Sequence, residues 1–101
     1  MEPEIYQNKR YTVYLLNGNY HCEDGPAYIH KSGLKKYYVH GKLHRTDGPA
    51  IIFPNGGKSW YINGKNIDRE VRKFCKEVGL DRRNLTPEDE FIIGLRFQNS
   101  H

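Results

Sequence analysis

Hydrophobic and polar positions alternate along the first two thirds of the chain, and the alternation restarts at a fixed interval. Side chains on a strand point to opposite faces in turn. One face of the recurring pattern carries Tyr14 and Leu16, then Tyr37 and Val39, then Trp60 and Ile62; the other carries Leu15, Tyr38 and Tyr61. The interval is 23 residues, the spacing from Pro3 to Pro26 and from Pro26 to Pro49. Three units run without gaps over Pro3–Gly25, Pro26–Gly48 and Pro49 to about Ile67. Gly18, Gly41 and Gly64 fall in register, as do His21 with His44, Asp24 with Asp47, and Gly25 with Gly48. A repeat of this length marks an array of supersecondary units that bury apolar surface by stacking on one another.

Each unit reads as a β-hairpin. In the third, Ala50–Phe53 is a short strand, Pro54-Asn55-Gly56-Gly57 is turn chemistry, and Lys58–Ile62 is the return strand. Asn and Gly supply the positive φ that tight turns need. Asn17-Gly18, His40-Gly41 and Asn63-Gly64 mark a second tight turn in each unit, and Asp-Gly-Pro triplets link one unit to the next. About six strands in a twisted antiparallel meander follow, with aromatic side chains laddering across them.

After Ile67 the period changes to that of a helix. Val71, Phe74, Cys75 and Val78 form an amphipathic stripe, with Asn66 or Asp68 placed to cap its start and Gly79 its end. Thr86-Pro87-Glu88-Asp89 opens a second helix, for which Phe91, Ile92 and Leu95 are the expected apolar stripe. The expected fold is therefore α+β: three hairpin repeats over residues 3–67 and a helical cap over 68–101, in one domain spanning 1–101. The helices cover either a bare sheet face or a bare end. An uncovered first edge at Ile5–Gln7 offers a route to a homodimer.

Tyr-Tyr-x-His-Gly-Lys at 37–42 and Trp-Tyr-x-Asn-Gly-Lys at 60–65 resemble variant MORN repeats of the YwqK type. The His-x-x-Asp-Gly-Pro-Ala links at 21–27 and 44–50 depart from that pattern, and with Trp-Tyr-x-Asn-Gly they look more like small phage and large-virus proteins. The resemblance implies a binding module without catalysis, toward proteins or anionic ligands. A phage origin would imply an accessory that blocks or modifies a host process.

Composition narrows the field. The 101 residues are 37% hydrophobic and 28% charged, which suits one globular domain and no membrane span. Met1-Glu2-Pro3-Glu4 lacks the basic and apolar regions of a signal peptide. Cys22 and Cys75 form no paired motif, so reduced thiols and a cytoplasmic location (the host's, for a phage protein) are expected. Lys+Arg number 16 against 12 Asp+Glu, a net charge of +4 that favours acidic protein surfaces and phosphates.

His21 with Asp24 and His44 with Asp47 have the residue types of an acid–base pair, and Cys22 adds a thiol. The pairs recur with the repeat, which is how structural residues behave, so no catalytic residue is assigned. His21, His30, His40, His44 and His101 do not form a ligand set, and neither a metal nor a cofactor is expected. Asn55-Gly56-Gly57-Lys58-Ser59 is a hairpin turn, not a phosphate loop. The candidate binding residues are Lys35, Lys36, Tyr38, Lys42, Arg45, Lys58 and Tyr61 on the sheet, with Arg69 and Arg72 on the first helix. Two partner classes follow. The first is a host protein held by aromatic and Arg anchors; the alternative is a nucleic acid or nucleotide held by stacking and phosphate contacts.

Overall fold

The computed structural model describes residues 2–99. Its β part is a meander of β1 (Glu4–Gln7), β2 (Tyr11–Leu16), β4 (Tyr28–His30), β5 (Lys35–Lys36), β8 (Ile51–Ile52) and β9 (Lys58–Ser59), each antiparallel to its neighbours. β3 (Asn19–Tyr20) pairs with the far end of β2. Two small hairpins stand outside the meander: β6 (Tyr38–Val39) with β7 (Lys42–Leu43), and β10 (Tyr61–Ile62) with β11 (Lys65–Asn66). Two helices follow, α1 (Asp68–Val78) and α2 (Pro87–Phe97), with a 3-10 turn at Arg82–Asn84 between them. The fold is α+β, and the sequence expectation of about six meander strands and two C-terminal helices holds.

The second and third return strands are broken, where the alternation predicts continuous ones. Tyr37 and Trp60 are the break points. Tyr37 N–H still donates to the Ala50 carbonyl at 2.7 Å, but the next position along the neighbouring strand is Pro49. Proline has no N–H to continue a ladder. The equivalent proline, Pro26, stands beyond Ala27, yet β2 runs on to Leu16, because β1 pairs with it as far as Leu15. No strand flanks the second halves of the other two return strands in that way, and they pair with the residues that follow their own tight turns. Those turns have the positive φ that a type I′ hairpin requires at both central residues: 53° and 81° at Asn17-Gly18, 50° and 79° at His40-Gly41, 50° and 83° at Asn63-Gly64.

The repeated histidines lock one unit to the next. His21 Nδ1 accepts the His40 N–H at 2.9 Å, and His44 Nδ1 accepts the Asn63 N–H at 2.8 Å. Each ring thus satisfies the amide at the first left-handed position of the following unit's turn. Gly41 and Gly64 N–H groups donate to the Tyr20 and Leu43 carbonyls at 2.9 and 2.7 Å, so the tight hairpins stack in a column.

The array ends where the third unit would need a fourth. Tyr14 and Tyr37 N–H groups donate to the alanine carbonyls of the next unit, Ala27 and Ala50. For Trp60 no such alanine exists, and the Asp68 carboxylate takes its place, also accepting from the Ser59 hydroxyl at 2.7 Å. A carboxylate at the edge of β9 satisfies the strand and blocks further pairing. Its use there leaves α1 without a side-chain cap: Ile67 holds the cap position, and Asn66 Oδ1 accepts the Asp68 N–H at 3.2 Å. Gly79 ends α1 in the left-handed conformation and Thr86 caps the start of α2, both as the sequence predicts, and Asp89 adds the reciprocal bond of a capping box.

The main core sits at this closed end. Trp60, Ile62 and Ile67 pack with Val71 and Cys75 of α1 and Ile93 and Phe97 of α2. The helices thus cover the end of the array. Tyr37 and Val39, on the equivalent face one unit earlier, are only half-buried. Val78 does not join the α1 stripe and is exposed. The expected α2 stripe is also corrected: Phe91, Ile92 and Leu95 are exposed, while Ile93, Gly94 and Phe97 are buried. The reason is Gly94. A Cβ there would lie 1.8 Å from the Thr46 carbonyl oxygen, so only a glycine lets α2 rest directly on the backbone of the second link.

Candidate functional site

Cross-strand register sorts the candidate residues onto faces. Tyr28 lies opposite Val13 and Lys36, and Lys36 opposite Ile51. Tyr20 and Tyr38 come from the tight hairpins and join Tyr28 on this side. Tyr11 stacks on Tyr28 at 6.2 Å, Tyr20 meets Tyr28 edge-on at 6.2 Å, and Tyr20 lies 4.9 Å from Tyr38. The Lys36 ammonium stands 5.7 Å from the Tyr28 ring centre. Burial, with Tyr20, Tyr28 and Tyr61 close by, pushes the Tyr38 phenol up. These contacts make one aromatic ridge with a cation beside it, exposed most at Tyr11 and Tyr20. Tyr20 and Tyr28 escape periodicity, because a Leu and an Ile occupy the positions 23 residues on, Leu43 and Ile51.

The other candidates lie elsewhere. Lys35 and Lys58 share the opposite sheet face, both paired across from Ile52. Lys42 is paired with Val39, and its stem lies 3.7 Å from the position a Gly64 Cβ would take. Arg45 is committed to the fold. Its guanidinium lies over the Tyr37 ring at 4.1 Å, binds Asp47 at 2.9 Å and donates to the Pro49 carbonyl at 3.1 Å. Arg69 is exposed on α1. The nine candidates therefore divide among separate surfaces, and only Lys36, Tyr38 and Tyr61 gather at the ridge.

Lys58 and Arg72 meet in a second place. A cleft of about 500 Å³ lies between the Asn55–Gly57 turn, the first turns of α1 and the 3-10 turn. Trp60, Val71 and Leu85 contribute its apolar lining; Lys58, Arg72, Arg82 and Arg83 contribute cations. The Lys58 ammonium is paired with Glu90 at 2.7 Å. No ion pair within the described residues engages Arg72, Arg82 or Arg83. Sequence alone shows Arg82-Arg83 only as a basic loop, since nothing local places it against a turn some 25 residues earlier.

The histidine and cysteine groups have structural partners. Cys22 Sγ lies 3.3 Å from Asp24 Oδ1, and burial together with that carboxylate raises its pKa, which keeps the sulfur a thiol. His21 and His44 spend Nδ1 on backbone amides. Both cysteines are free. Among the described residues no group of three His, Cys, Asp or Glu side chains converges as a metal site, and His101 lies outside them. No helix among them is long and apolar enough to cross a membrane. No family model, curated protein or solved structure matches the chain.

Proposed function

We propose that the protein is a non-enzymatic binding module that docks an acidic surface of a partner protein onto its tyrosine ridge. The observation that carries this reading is the continuous contact from Tyr11 through Tyr28 and Tyr20 to Tyr38, with Lys36 at its side. Tyrosines held by their neighbours present large area at low entropic cost, and tyrosine is favoured where interfaces concentrate their affinity. The net charge of +4 favours an acidic partner. The resemblance of the His-x-x-Asp-Gly-Pro-Ala links to small phage proteins supports a host protein as that partner. The mode of action would be occlusion, in the host cytoplasm.

The test is affinity capture from bacterial lysate with and without nuclease, using the parent and a Tyr20→Ala/Tyr38→Ala variant of unchanged fold. A stoichiometric acidic protein should survive nuclease with the parent and be lost with the variant. Equal capture by both removes the ridge from the interface. Retention of nucleic acid alone, lost with nuclease or rising salt, would replace this reading with the stacking-and-phosphate one.

A further inference from the structure

The cleft between the third hairpin and the helical cap is independent of the tyrosine ridge, and its charge is unbalanced. Asp68 lines it and keeps its negative charge, but its oxygens are turned to the strand edge, where they accept from the Ser59 hydroxyl, the Trp60 N–H and the Asn66 amide. The other cation of the lining, Lys58, is neutralised by Glu90. What remains is Arg72 from α1 and Arg82 and Arg83 from the 3-10 turn, three guanidiniums around one concavity that no ion pair among the described residues engages, so that cations outnumber the Asp68 carboxylate in the lining.

We infer that this cleft binds a small organic phosphate monoester, with the phosphate held by the three arginines and the organic part against Trp60, Val71 and Leu85. Guanidinium forks match phosphate oxygens two at a time, which makes arginine the usual choice for such a group. A doubly charged anion also relieves the repulsion among the arginines. A volume of about 500 Å³ is the size of a small-molecule site. A polymer backbone would need a track of cations instead. On α1, Arg69 and Lys73 do not line the cleft, and Glu70 and Glu77 interrupt the helix's positive charge. A neighbouring depression shares the three arginines and Lys76, but there Asp81 offsets them.

The structure supplies its own reporter, because Trp60 is the only tryptophan and lines the cleft. The experiment is a titration with phenyl phosphate, and separately with inorganic phosphate, followed by the Trp60 indole resonance and the backbone amides of Arg72, Arg82 and Arg83. Saturable shifts should be confined to the cleft, with phenyl phosphate binding more tightly than inorganic phosphate. Arg72→Gln alone, or Arg82→Gln/Arg83→Gln together, should weaken binding about tenfold or more, since each removes charge-assisted hydrogen bonds. These arginines are exposed, so the variants should keep the parent spectrum elsewhere. Shifts reproduced by sodium chloride at equal ionic strength overturn the inference. So do shifts that persist in the arginine variants, or that fall on the tyrosine ridge.

Discussion

Replacing Gly94 by alanine is the sharpest test of how the helical cap is seated. Alanine is the better helix former by about 1 kcal/mol, so an undocked α2 would be stabilised. In the folded protein the new Cβ would lie 1.8 Å from Thr46 O, 2.8 Å from Thr46 C and 3.1 Å from Asp47 Cα. All three are backbone atoms, and carbon atoms normally approach no closer than about 3.5 Å. No rotamer change relieves the clash. Either α2 moves away by more than about 1 Å or the link carrying Thr46 moves, and overpacking of this kind costs about 1–3 kcal/mol. If α2 lets go instead, Ile93 and Phe97 lose their burial, at about 1.5–3 kcal/mol each. With three backbone atoms in the way the upper end of that cost applies, and after subtracting the propensity gain Gly94→Ala should destabilise by about 2 kcal/mol. For a chain of this length that lowers Tm by about 10 °C. Chemical and thermal unfolding read it directly. Leu95→Ala on the exposed side of the same helix should stay within about 0.5 kcal/mol of the parent. A Gly94→Ala protein as stable as the parent would refute the seating of α2 on the second link.

Other outcomes follow from the same contacts. Asp68→Ala strips the acceptor from the Trp60 N–H and the Ser59 hydroxyl, and should cost about 1–3 kcal/mol in denaturant unfolding; Asp68→Asn, which keeps a carbonyl oxygen, should cost less. His21→Ala leaves the His40 N–H without its partner and opens space at a buried position, so it should destabilise more than His30→Ala, whose ring bonds only to Ser32 in its own turn. Burial lowers the His44 pKa below its ordinary 6.5, so the unfolded chain takes up a proton before the folded one does. The His44 contribution is complete above pH 6.5 and declines as pH falls through the lowered folded value; His44→Gln should flatten that part of a stability–pH profile.

The hairpin units were legible because their determinants are local. Asn-Gly and His-Gly turns, Asp-Gly-Pro links and a Thr-Pro helix start each act over two to four residues, and the 23-residue offset repeats them. The broken return strands were not legible from one unit, since all three share one local pattern and only the first has β1 alongside it as far as Leu15. The α2 face misled for a similar reason. Phe91, Ile92 and Leu95 have the spacing of a buried stripe, and only the Thr46 carbonyl against Gly94 selects the other side. At the ridge, the tyrosine columns pointed to Tyr38 and Tyr61. Tyr20 stands in register with Leu43 and Asn66, and Tyr28 with Ile5 and Ile51, so no period marked them.

Both candidate surfaces owe their existence to how the repeat handles its own boundaries. Inside the array, the Tyr14 and Tyr37 amides find an alanine carbonyl of the next unit, and the His40 and Asn63 amides find a histidine of the preceding one. At the closed end those partners are missing. Asp68 substitutes for the carbonyl, and Ile67, in register with His21 and His44, substitutes an apolar side chain for the imidazole. That exchange draws α1 across Trp60 and leaves the space between α1 and the third turn that Arg82 and Arg83 border. The ridge has the opposite origin. Tyr20, Tyr28 and Tyr38 come from consecutive units, so their contacts depend on the stacking of one unit on the next. A variant that loosens the His21–His40 link should therefore disturb the ridge while sparing the cleft, and Asp68→Ala should do the reverse. Amide exchange on the two variants separates the surfaces physically, whatever each one binds.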